Sequence, residues 1–159
     1  MPRPLRAPTL IAAVAVSALV AALPGGAAAT TKPPVHFAGK TSQDLPISFA
    51  VSGGKVQRIK VTMTFDCYNV AEEIQTGSTE HYAETHKVLL KGPYKIKKDG
   101  SFYGRREDVP KDPGQTSVFG KRAGKGKFTG RAGANYNQPD GKVTCSADVD
   151  WNAHKVNKP

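Results

Sequence analysis

The chain has 159 residues, with 23 lysines and arginines against 13 acids and a formal net charge of +10. Set apart from an N-terminal leader, that length suits one domain with a real hydrophobic core. Only two cysteines are present, and a lone pair so far apart excludes a cysteine-based zinc site.

Residues 1–8 carry Arg3 and Arg6 and no acid, and residues 9–23 are almost wholly apolar. Pro24, Gly25 and Gly26 then break any helix, and Ala27-Ala28-Ala29 puts small residues at both positions that an A-x-A cleavage site requires. This order is that of a secretory signal peptide over residues 1–29, with cleavage after Ala29. The apolar run of about 15 residues is shorter than the roughly 20 needed to span a bilayer, which argues against a membrane anchor. No second apolar run of spanning length follows, and residues 152–159 are polar. The expected product is a soluble, extracellular protein without a transmembrane anchor. Residues 30–34 are small, polar and proline-containing, and read as a flexible segment before a single β domain over residues 35–159.

Within that domain the main signal is alternation with a period of two. Residues 35–41 predict a short strand. Leu45, Ile47, Phe49 and Val51 alternate with Pro46, Ser48 and Ala50, and Ser52-Gly53-Gly54-Lys55 predicts a turn. Ile59, Val61, Met63, Phe65 and Cys67 share one face of the next strand, with Lys60, Thr62, Thr64 and Asp66 on the other. Residues 68–86 are the one stretch that could hold a turn or short helix, around Ala71-Glu72-Glu73. Residues 88–91 are a candidate strand. Residues 94–98 and 101–105 flank Asp99-Gly100, a strong hairpin signal. A three-residue loop of Lys98, Asp99 and left-handed Gly100 is favoured over a two-residue loop, because it pairs Ile96 with Phe102. Residues 116–122 and 127–134 complete the set with the last strand, where Val143, Cys145, Ala147, Val149 and Trp151 share the apolar face.

Many short strands with glycine and proline between them indicate an all-β fold. We expect an antiparallel β-sandwich or flattened barrel of about eight or nine strands, mostly hairpin-connected. Cys67 and Cys145 both fall on apolar strand faces, so in an oxidising compartment they are expected to meet across the core as a disulfide. Closing a loop 78 residues long would stabilise the fold by about 4–5 kcal/mol in the chain-entropy model.

Several of these patterns occur together. Phe37-x-Gly39-x-Thr41-Ser42-Gln43 is followed by Ile47-x-Phe49-x-Val51-x-x-Gly54-x-Val56-x-x-Ile59, then by a cysteine that closes the strand. Asp99-Gly100-Ser101-Phe102, a glycine-spaced segment and a second cysteine before Trp151-x-Ala153 follow. The chain thereby resembles a loose group of small exported β-rich proteins from high-GC Gram-positive bacteria, over most of residues 30–159. The resemblance implies a fold and no activity. This chain departs from it in a central segment rich in lysine and arginine.

That segment is the main functional clue. Residues 87–131 hold 13 basic residues against 4 acids, and the flanking parts of the domain are close to neutral. If neighbouring strands gather these charges, the surface would attract an anionic polymer or cell-envelope component. The candidate binding residues are Lys95, Lys97, Arg105, Lys121, Arg122, Lys125, Lys127 and Arg131, with Tyr94, Tyr103 and Phe128 interleaved as stacking platforms. The plainer alternative is a solvated β-surface whose lysines guard sheet edges.

No other motif carries chemistry as far. In Glu80-His81-Tyr82-Ala83-Glu84-Thr85-His86, a strand puts Glu80, Glu84 and His86 on one face and His81 on the other, so no metal site is assigned. Asp148 and Asp150 lie outward on the last strand, unlike a glycosidase pair across a cleft. The run from Gly124 to Gly130 lacks a phosphate-loop signature, and there is no Gly-x-Ser-x-Gly elbow. Trp151 lies in phase with the core residues of its strand. No catalytic residue, metal, cofactor or specific nucleic-acid motif is assigned. The leading expectation is a secreted, non-enzymatic binding domain. The alternatives are a carbohydrate-binding β-sandwich, a small secreted hydrolase or a protease inhibitor.

Overall fold

The computed structural model describes residues 32–109 and 112–157, which belong to the unit Thr31–Pro159. Side chains are described except at residues 107–113. The leader and its cleavage at Ala29 lie outside the described residues, as does Lys111. Among the described residues, nine strands and one helix follow in chain order: β1 (Val35–Thr41), β2 (Pro46–Ser52), β3 (Lys55–Asn69), α1 (Val70–Thr76), β4 (His81–Leu90), β5 (Tyr94–Lys95), β6 (Ser101–Val109), β7 (Asp112–Arg122), β8 (Lys127–Asn137) and β9 (Val143–Val156). All pairings are antiparallel. The strands form one sheet in the order β4-β3-β2-β1-β9-β8-β7-β6, with β5 beside β3. The expected all-β architecture is therefore present, as a single sheet that folds over on itself.

The folding-over is set by β3 and β9, the two longest strands. They pair directly over Asp66–Asn69 and Val143–Ser146. Beyond that stretch they part, and the β1–β2 hairpin fills the opening, with β2 on β3 and β1 on β9. The turn of this hairpin enters the fork. Gln43 meets the backbone of Thr64 as a neighbouring strand would. Its Nε2 donates to the Thr64 carbonyl at 2.9 Å, and its Oε1 accepts from the Thr64 N–H at 2.7 Å. On the other arm, the Ser42 N–H donates to the Asp150 carbonyl at 2.7 Å. Backbone groups between two ladders are thus satisfied, as backbone polar groups in folded chains generally are.

Below the fork, Cys67 and Cys145 are direct register partners with their Cα atoms 4.1 Å apart, and they form the disulfide. The bond was expected to cross the core. It instead joins adjacent strands, because β3 and β9 lie in one continuous sheet at this point.

Alternation explains which residues are buried. Phe37, Phe49, Phe102, Phe128 and Trp151 meet in one aromatic cluster, with Phe37 stacked on Phe49 at 5.2 Å and Trp151 edge-on to Phe49 at 5.8 Å. Phe102 of β6 reaches Phe49 of β2 at 6.1 Å, so the two halves of the sheet face each other in a flattened barrel. Gly120 and Gly130 admit this cluster. A Cβ on Gly120 would overlap the Phe102 ring, and one on Gly130 would overlap the Phe119 carbonyl oxygen and lie 2.5 Å from the Trp151 ring.

Two local expectations change. The strand expected at residues 88–91 begins seven residues earlier at His81, since its first half is exposed and carries little apolar alternation to read. The loop at Lys98–Gly100 forms as expected, with Gly100 left-handed at φ 81° and the Lys97 N–H donating to the Ser101 carbonyl at 2.7 Å. Ile96 does not continue that ladder towards Phe102. Its N–H donates to the Gly54 carbonyl, and β5 pairs with β3. The helix within residues 68–86 is α1, capped by the Asn69 side chain and closed by left-handed Gly77.

Gly130→Ala should lower stability by about 1–3 kcal/mol through overpacking. Gly133→Ala is the control, because its Cβ would meet nothing closer than 3.7 Å, and it should unfold in urea at the wild-type midpoint or slightly above. Equal losses at both positions would remove the special role given to Gly130.

Candidate functional site

The strands β6 to β9 present one continuous outer face. Register aligns its rows, since residues opposite each other in antiparallel strands point the same way. Tyr103, Phe119, Arg131 and Asp150 form one row across the four strands. Arg105, Ser117, Gly133 and Asp148 form the row on one side of it. Lys121, Thr129 and Asn152 lie on the other. Tyr103 is 53% exposed and Phe119 48%, so two aromatic rings stand side by side in solvent among cations.

A shallow groove of about 590 Å³ runs from Phe119 past Thr129 and Arg131 to Asn152 and the Ser42 turn. Arg131 is anchored in it: Nε donates to Asp148 Oδ1 at 2.6 Å and Nη2 to Oδ2 at 2.5 Å. These bonds raise the Arg131 pKa further and cancel much of its charge towards a ligand. At the edge of the face, the Asp99 carboxylate accepts from the Ser101 hydroxyl at 2.7 Å and the Ser101 N–H at 3.0 Å. Those bonds hold its pKa below the usual carboxylate range, with smaller help from Lys121 and Lys97.

The eight cations expected to bind do not form one patch. By alternation Arg105, Lys121, Lys127 and Arg131 share the outer face, and Lys97 lies close enough to Lys121 for both to act on Asp99. Lys125 sits in the β7–β8 turn. Arg122 lies over the Phe128 ring, 5.6 Å from its centroid. Lys95 is elsewhere, opposite Lys55 at the start of β3. Of the aromatics proposed for stacking, only Tyr103 is well exposed. Phe128 is 3% exposed and belongs to the core, and Tyr94 packs against Gly104. Phe119 was not foreseen. Val118 and Phe119 are adjacent, so only one can face inward, and the core takes Val118. Trp151 is a core residue at 3% exposure, and its Nε1 is a buried side-chain nitrogen without a hydrogen-bond partner.

A second, partly exposed cluster lies near the disulfide. Glu84 and His86 share the inward face of β4, as the alternation predicts. His81 faces the other way, where Asp66 holds its Nδ1 at 2.9 Å and Tyr68 stacks on its ring. Tyr136 reaches across from β8. Its hydroxyl donates to Glu84 Oε2 at 2.7 Å and lies 3.1 Å from His86 Nε2, which is itself 2.9 Å from the same Oε2. Three polar groups thus satisfy one another and tie β4 to β8. Among the described residues, the group of potential metal ligands that comes together is Cys67, Glu84 and Cys145, and the disulfide occupies both sulfurs.

No protein-family model, curated protein or solved structure matches the chain. Among the described residues, no helix is long and apolar enough to cross a membrane.

Hydrogen bonds from His86 and Tyr136 hold the Glu84 carboxyl below its ordinary value of 4.5. A depressed carboxyl pKa stabilises the fold above the ordinary value, and that stability is lost as pH falls through the lower folded value. Glu84→Gln should therefore lower the urea midpoint at pH 7, and its difference from wild type should close below pH 4.5. A difference that persists unchanged in acid would remove the charged carboxylate as its cause.

Proposed function

We propose that the protein is exported and acts by binding an anionic polymer along the outer face of β6–β9. One observation carries this reading: the register puts Tyr103 and Phe119 side by side in solvent and sets Lys121 and Lys127 on the same face. Cations on such a surface draw in a polyanion over the range of a Debye length. Exposed rings then give its sugar or base units a surface to stack on. The leader at residues 1–29 and the disulfide fit a partner outside the cytoplasm, such as an acidic wall polymer or glycan. The reading is of binding without catalysis.

The groove beside Phe119 favours a second reading, a neutral carbohydrate. Thr129, Asn152 and Asp150 offer the hydroxyl, amide and carboxylate groups that sugar hydroxyls pair with.

Salt separates the two. Retention on immobilised heparin or polygalacturonate should fall steeply with ionic strength, as counterion release requires. A variant with Lys121, Lys125 and Lys127 changed to Ser should elute at much lower salt. Phe119→Ser should weaken binding while leaving the salt slope unchanged. Salt-independent retention, or no effect of the triple variant, would overturn the polyanion reading. Salt-tolerant retention on a neutral glycan would support the second.

A further inference from the structure

The single sheet has two ends, β4 and β6, and when it folds over they approach without pairing. Between them lies a cleft of about 180 Å³. Its floor is apolar: Phe65 of β3, Val88 of β4 and Ala134 of β8, at 2%, 9% and 9% exposure. Its opposite wall is one inward-facing row in which Arg106, Thr116 and Ala134 are register partners on β6, β7 and β8. Arg106 thus points to the other side of β6 from Arg105, on the strand that borders both this cleft and the outer face.

Arg106 is half-buried, and no hydrogen bond or ion pair ties its guanidinium to any described residue. Thr116 is 8% exposed, and its hydroxyl makes no hydrogen bond to a described residue. The nearby carboxylate, Glu84, is already engaged by His86 and Tyr136. A half-buried cation and the hydroxyl of Thr116 therefore face one small space without partners among the described residues, and both are open to an anion that enters it. The guanidinium fork matches a carboxylate in two parallel hydrogen bonds, and the Thr116 hydroxyl supplies a further donor. At about 30 Å³ per water-sized group the cleft holds roughly six such groups. That suits a carboxylate on a short apolar stem.

We propose that this cleft is a binding site for a small carboxylate, with Arg106 and Thr116 holding the head group and Phe65, Val88 and Ala134 receiving its apolar stem. The ligand is either a free short-chain acid or the carboxylate end of a longer chain. Both share this chemistry. The site is separate from the outer face, and its occupancy does not depend on polymer binding there.

The test is a titration of the purified protein with sodium butyrate, followed by amide chemical shifts, with butyramide as the neutral counterpart. Butyrate should shift amides of β4, β6, β7 and β8 around the cleft and saturate, with butyramide at least about tenfold weaker. Arg106→Gln should weaken butyrate by about tenfold, and Thr116→Val, which keeps the side-chain shape, by about fivefold. Lys121→Ser on the outer face should leave the titration unchanged. A short peptide ending in valine, compared as free acid and as amide, distinguishes the sources. Tighter binding of the peptide acid than of butyrate assigns the site to a chain end, and the reverse to a free acid. Equal response to butyrate and butyramide, or an unaltered titration in a folded Arg106→Gln protein, overturns the proposal.

Discussion

Where β3 and β9 diverge, one sheet must serve two purposes. It is continuous at the disulfide, and it must open to admit the β1–β2 hairpin. The Cys67–Cys145 bond holds the two strands together below the fork, and the Ser42–Gln43 turn holds them apart above it. Each element limits the other. Without the bridge, the unfolded chain would gain the freedom of a loop 78 residues long. Without the Gln43 amide, the N–H and C=O of Thr64 would lose their ladder partner. The pattern Thr41-Ser42-Gln43 is thus a structural device: the Gln43 amide takes the place of a missing strand, and the Thr41 hydroxyl accepts from the Gln43 and Leu45 N–H groups to hold the turn.

The fork also decides where the rest of the chain lies. Once β9 follows β1 at one end and β3 at the other, β8, β7 and β6 extend from its free edge and curl back over β2 and β3. The aromatic cluster fills the space they enclose, and Gly120 and Gly130 let the Phe102 and Trp151 rings lie against the sheet. The last strand, β6, is left as an edge with two chemistries. Tyr103 and Arg105 join the outer face, and Arg106 turns into the seam facing β4. Near that seam, Glu84, His86 and Tyr136 tie β4 to β8, and Gln138 adds a hydrogen bond to the Tyr82 hydroxyl.

Two surfaces of different size follow from that arrangement. The outer face is wide, exposed and rimmed by lysines. It suits an extended ligand held by many weak, salt-sensitive contacts. The seam is small and half-apolar, with one unpaired guanidinium among its described residues, and it suits a single head group. Both draw on the basic segment 87–131, whose charges the fold distributes between them and elsewhere. Arg122 is used on the Phe128 ring, Arg131 is spent on Asp148, and Lys95 is carried to the start of β3.

The alternation in residues 45–51, 59–67 and 143–151 was enough to identify strands, their buried faces and the inward placement of both cysteines, because side-chain direction in a strand is a local property with a period of two. Asp99-Gly100 likewise specified its own turn. Pairing is different in kind. Whether Cys145 meets Cys67 across the core or along the sheet, whether β5 turns to β6 or to β3, and whether Phe119 or Val118 faces solvent all depend on residues far apart in the chain. So does the position of the cations. Strand register and the folding of the sheet put Phe119 beside Tyr103, separated Arg105 from Arg106 and brought Tyr136 to Glu84. Composition counted the charges of this protein. Only the tertiary structure, through contacts that no local pattern encodes, decided which of them share a surface.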